Sequence, residues 1–291
     1  MTTKKLPLAA VAAAFCVLQS FPPTAIAQTS FEVPRVSPKA TVSQVVGVAE
    51  VKITYSRPGV KGRVIWGGLV PYDKVWRTGA NEATTILFGD NVTIDGQPLA
   101  AGTYSLATIP GPTEWTVIFN KKTDLWGAYE YKQEDDALRI KVKPEAAPMT
   151  EWMTFSIPTL STDSAEVSLT WEKLKIAFQI KFDVVNKVLE GARKAVPAAK
   201  ADDWRTPLRA AMFCVENKTS LDEAAGWVEK AIGVSQNYYT LFGKARLLAE
   251  TGKRSEAIVT AKKAIEVGKA AQPPADTAPA ELTLADWEKA K

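Results

Sequence analysis

Between residues 55 and 131 the chain concentrates side chains suited to polar recognition. Arg57, Arg63 and Arg77 are planar donors that match carboxylate, phosphate or sugar hydroxyl groups. Trp76, Trp126 and Tyr131 offer flat apolar faces for a sugar ring or a cation, and Asn81 and Glu82 add an amide and a carboxylate close to Arg77. Aromatic faces with a few convergent polar groups are the usual make-up of a small-molecule site. These eight residues form the candidate ligand-binding set. The same stretch also fits a scaffolding role, because an Arg77–Glu82 pair in a glycine-containing turn would tie the loop to itself.

Other chemistry is limited by composition. There is no histidine in the 291 residues, which removes Ser-His-Asp and Cys-His catalysis and histidine-ligated zinc or copper. Acid–base work by two carboxylates survives, with Glu82 as the candidate general acid or base. Glu130 and Asp124 are further carboxylates, but no spacing marks a pair. No Ser-x-x-Lys stands beside a second lysine signature. Gly59-Val60-Lys61-Gly62 lacks the rest of a phosphate-binding glycine motif. The run Asp90 to Gly96 alternates like a hairpin rather than a calcium loop. No metal and no cofactor are expected.

The elements that would carry this set read as strands. Val51, Ile53 and Tyr55 alternate with polar neighbours, as do Val167, Leu169 and Trp171, and again Ile176, Phe178, Ile180 and Phe182. Trp115 to Phe119 is apolar enough for a central strand. Period-two patterns of this kind describe strands with one dry face, and Asp95-Gly96, Ala101-Gly102 and Pro110-Gly111-Pro112 supply turns. Roughly ten strands without a helical interval predict an antiparallel β-sandwich, jelly-roll-like, over 28–182. Gly59, Gly62, Gly67, Gly68 and Gly79 place the polar stretch on a loop crossing one end of it, where function usually resides.

After Asp183 the period becomes helical and alanine frequent, giving an α+β multidomain chain with a helical region at 183–291. Glu223-Ala224 and Glu229-Lys230-Ala231-Ile232 recur as Glu256-Ala257 and Lys262-Lys263-Ala264-Ile265, a spacing of 33 residues. The segment 204–270 resembles two degenerate tetratricopeptide repeats, preceded by a helix near 184–196. Gly252-Lys253 would turn between the second pair of helices, Pro273-Pro274 would break the chain, and Thr283 with Asp286 would open a short last helix. Two readings stand for the repeats: bracing the sandwich, or offering a groove to a protein partner.

The first 27 residues read as a secretory signal peptide: Lys4 and Lys5, an apolar run from Leu6 to Leu18, and Ala25-Ile26-Ala27 before Gln28. Its removal would lower the formal charge from +4 to +2, leave Cys214 as the single cysteine, and leave no membrane span. The product would be periplasmic or secreted. A balance so near neutral gives no reason to expect nucleic acid.

Several unusual strings occur in one order: Tyr55-Ser56-Arg57-Pro58, Lys61-Gly62-Arg63, Trp76 through Thr84, Ala101 through Leu106, and Trp126 through Tyr131. This succession resembles a family of exported bacterial proteins known as domain of unknown function 2911, over residues 37–182. Asp73 is a departure, standing where the family pattern has glycine. The resemblance implies an exported β-rich domain, often with a helical C-terminal region, and brings no activity or catalytic residue. The expectation is therefore an exported non-enzymatic binding module for a small polar or anionic ligand, a glycan among the candidates. The alternatives are a histidine-independent hydrolase of cell-envelope carbohydrate and a purely structural envelope protein.

Overall fold

The computed structural model describes residues 1–2 and 33–289. The signal-peptide segment, from residue 3 onward, lies outside the described residues. The chain divides at Arg35/Val36 into a short N-terminal unit, whose described residues carry no regular structure, and a unit holding everything that follows.

Among the described residues, ten strands build two antiparallel sheets. They are β1 Lys39–Val46, β2 Ala49–Ser56, β3 Thr85–Phe88, β4 Val92–Ile94, β5 Gln97–Leu99, β6 Gly102–Ile109, β7 Trp115–Asn120, β8 Asp136–Val142, β9 Glu145–Ser156 and β10 Ser164–Phe182. One sheet runs β1-β2-β3-β6-β7-β8, the other β5-β4-β10-β9. The alternation read from the sequence is the burial pattern observed: Val51 and Ile53 are fully buried between exposed Glu50 and Lys52. The inward sides of both sheets merge into one core that includes Ile86, Phe88, Phe119, Val167 and Ile180. Trp115 to Asn120 are buried on both faces, as befits a mainly apolar strand flanked by β6 and β8, with Thr116 and Asn120 as its buried polar members.

The two alternating segments near the end of the sheet region are a single 19-residue strand, β10. Inward residues are odd-numbered up to Trp171 and even-numbered from Ile176. The change of parity falls at Glu172, at φ +56°, where the pairing with β9 shifts register on both sides. One extra residue at a bulge moves every later side chain to the other face.

Among the described residues six helices follow: α1 Val184–Ala198, α2 Arg205–Glu216, α3 Leu221–Val234, α4 Tyr238–Glu250, α5 Arg254–Ala270 and α6 Ala278–Lys289. Asp183 caps α1 by accepting the Asn186 N–H at 3.2 Å. Lys187 on α1 pairs with Asp90 of the β3–β4 turn at 2.7 Å. Gly252, at φ +79°, makes the turn between α4 and α5. The 33-residue offset reappears in packing: Ala224 and Ala257, and Ala231 and Ala264, are all fully buried, where a larger side chain would separate the helices. The last helix opens earlier than Thr283. Thr277 precedes its first turn and donates to Glu281 at 3.1 Å, while Thr283 lies inside the helix and donates back to Pro279 O. Pro279 suits that first turn, where its missing N–H costs nothing. Cys214 is buried and free. Among the described residues no helix is long and apolar enough to cross a membrane.

Candidate functional site

Between β2 and β3 the chain makes a long excursion, residues 57–84. Its backbone curls through left-handed positions at Lys61, Asp73, Thr78 and Asn81. Asp73 takes φ +59°, a conformation natural to glycine that aspartate tolerates better than most residues, so the departure from the family pattern keeps the turn. The excursion is clasped on both sides. Val60 N–H donates to Glu151 O at 2.9 Å and Met153 N–H to Pro58 O at 3.0 Å, joining it to β9. Trp76 exchanges two backbone bonds with Thr108 of β6, at 2.7 and 2.8 Å. Gly79 is required by close approach, since a Cβ there would lie 2.9 Å from Thr84 Oγ1 and 3.1 Å from Ser56 O.

This double clasp presses two tryptophans of the excursion onto two of the sheets. Trp66 meets Trp115 edge-on at 4.9 Å and Trp171 at 5.7 Å, and Trp76 stacks on Trp171 at 5.8 Å. The Trp76 ring is fixed by its Nε1–H, which donates to Gly79 O at 3.2 Å. Beside this cluster opens a hollow of about 340 Å³, whose lining includes Ser37, Gly59, Lys61, Arg63, Leu69, Trp76, Arg77 and Trp171. Its walls carry three cations and no carboxylate.

The three cations are held differently. Arg63 donates from Nε to Val60 O at 3.1 Å and from Nη2 to Gly59 O at 2.6 Å, so two carbonyls of its own loop orient the fork. Lys61 holds its ammonium 5.9 Å from the Trp152 ring centre. Arg77 has no ion pair among the described residues, and its Nε is buried there without an acceptor. Behind Arg77 lies a water-sized space of about 10 Å³, lined also by Ser105, Gly127 and Tyr131.

Of the eight candidate residues, the structure brings Arg63, Trp76 and Arg77 to this hollow. Arg57 turns to β9 instead, donating to Met153 O at 2.9 Å and Thr154 Oγ1 at 2.7 Å. Asn81 donates to Ser37 O at 3.1 Å and so secures the segment before β1 that forms one wall. Glu82 lies outside the lining, its backbone bridged to Trp126. Trp126 is 61% exposed on the β7–β8 connection. Tyr131 ties that connection down. Its hydroxyl donates to Asp136 at 2.7 Å and accepts from Arg139, which also pairs with Asp136 at 2.6 Å. Burial, aided by the Asp136 carboxylate, pushes the Tyr131 phenol up to about 12. Lys61 and Trp171 were not among the candidates. Lys61 stood two residues from Arg63, a usable signal, whereas Trp171 sits in a strand 94 positions beyond Arg77 and looks like plain core.

A slightly larger hollow of about 380 Å³ borders the β4–β5 hairpin, but Lys181 and Asp183 in its lining cancel in charge. Among the described residues no group of three acids or cysteines is placed to hold a metal ion.

The fold and this geometry define an antiparallel β-sandwich with a cationic, tryptophan-floored hollow at one flank, followed by helices. The model of the family described as "protein of unknown function (DUF2911)" matches residues 37–180, so the sandwich domain belongs to that family. No curated protein and no solved structure matches the chain.

Proposed function

We propose that the protein is a non-enzymatic binding module whose hollow takes a small polar anion, an acidic or phosphorylated sugar among the candidates. One observation carries the reading: Lys61, Arg63 and Arg77 surround a single space, with no acid in its lining and no ion pair for Arg77 among the described residues. A partly buried guanidinium without a counter-charge costs stability, and an anion from outside removes that cost. Trp76 supplies a flat apolar wall, and the volume lies at the small end of ligand sites. In this account the protein is exported, and the tetratricopeptide-like helices brace the sandwich through contacts such as Lys187–Asp90. The hydrolase alternative would need an acid in the lining, where none is found.

The test is a tryptophan-fluorescence titration with glucuronate and glucose 6-phosphate at constant ionic strength, with Trp76 and Trp171 as reporters. A saturable change is expected in the native protein and in Lys181→Met, and none in Arg77→Met. An unsaturable signal, or one that Arg77→Met leaves intact, rejects the site.

A further inference from the structure

Resting on that reading, we propose that the ligand is a phosphomonoester in its dianionic form, carried on a compact polyhydroxylated ring such as a hexose. Charge matching selects the dianion. None of Lys61, Arg63 and Arg77 has an ion pair among the described residues. A monocarboxylate in the hollow would leave two of these charges uncompensated, and a dianion leaves one. Arg77 is half-buried while Lys61 and Arg63 are exposed, and an anion of higher charge gains more from three converging cations. The Glu151 carboxylate accepts the Lys61 backbone N–H at 2.9 Å and is not in the lining.

The donors suit tetrahedral oxygens approached from several sides. Arg63 has two donors committed to carbonyls, leaving Nη1 for the ligand. Lys61 lines the hollow with its ammonium held over the Trp152 ring, from which it can swing to an anion as a point charge, and Arg77 stands beside Trp76 in the wall. Together they surround an anion instead of presenting the single planar fork that pairs with a carboxylate. The carrier is compact because the space is about 340 Å³. It is ring-shaped with one apolar face because the Trp76 indole is locked in place between Trp171 and its bond to Gly79 O.

The lack of histidine makes a decisive assay available. The charged groups around the ligand are Lys61, Arg63 and Arg77, with Glu151 next to Gly59 and Lys61. A phosphomonoester takes its second charge near pH 6. Calorimetric titration of the full chain at constant ionic strength, from about pH 5 to about pH 7.5, should show glucose 6-phosphate affinity rising about tenfold in step with that ionisation. Glucuronate should bind more weakly, with a flat profile, and inorganic phosphate should follow the same rise at lower affinity. Lys61→Met should reduce glucose 6-phosphate affinity more than glucuronate affinity. Equal affinities for glucuronate and glucose 6-phosphate with flat profiles would overturn the dianion while leaving the anion site intact. Inorganic phosphate binding as tightly as the sugar phosphate would overturn the ring. Failure of all three probes to bind would remove the anion site itself.

Discussion

Replacing Arg77 by methionine separates a ligand-facing arginine from a fold-tying one. Methionine keeps most of the apolar stem and deletes the charged fork. If Arg77 were half of a buried ion pair, its partner would be left charged and unpaired, at a cost of about 3–5 kcal/mol. The structure gives Arg77 no such partner among the described residues and leaves its Nε buried without an acceptor. No paired group is therefore stranded by the change, and the uncompensated charge disappears. The expected change in unfolding free energy is within about 0.5 kcal/mol of zero, or a small gain. Urea unfolding followed by tryptophan fluorescence, without added anions, measures it against the native protein. A loss of 3 kcal/mol or more would refute the reasoning and make Arg77 part of the scaffold.

Three further outcomes follow from the packing. Tyr131→Phe deletes a hydroxyl shared by Asp136 and Arg139 and should cost about 1 kcal/mol. Because the folded-state Tyr131 pKa is raised to about 12, above the unfolded value near 10, its contribution is complete below pH 10 and disappears as pH rises from 10 to 12. An alkaline unfolding series should show that decline, and Tyr131→Phe should make it shallower, since burial also raises Tyr104 and Tyr238. Gly79→Ala would drive a methyl against Ser56 O and Thr84 Oγ1, and calorimetry should find a loss of about 1–3 kcal/mol. Ala257→Leu, at a fully buried helix contact, should cost about 1–3 kcal/mol by overpacking; a neutral result would mean that the helices do not need the small residue there.

The strands were legible because half-buried sheets write their faces into the sequence with period two, and Val51 to Tyr55 or Ile176 to Phe182 show it directly. The union of two such segments into β10 was not, since the bulge at Glu172 reverses parity and looks like an interruption. In the site, Arg63, Trp76 and Arg77 could be picked out because they stand in a glycine-rich stretch with no alternation, where packing does not dictate residue type. Whether a neighbouring arginine faces a hollow or a strand edge is decided by tertiary contact. Arg57, directly after β2, falls beside β9 and is consumed by Met153 and Thr154. Trp126 and Tyr131 belong to a different connection, held by the Asp136 knot, and nothing in their spacing relates them to residues 57–84. Trp171 reaches the hollow only because the excursion lays Trp76 across it.

The central claim is that an anion occupies the hollow at Arg77, and a crystal structure of the protein with glucose 6-phosphate tests it most directly. The account predicts the phosphate between Arg63, Arg77 and Lys61, with the sugar ring against Trp76 and the Lys61 ammonium drawn away from Trp152. A phosphate bound instead at Lys181 beside the β4–β5 hairpin, or no bound sugar phosphate at a concentration that saturates the solution signal, would contradict it.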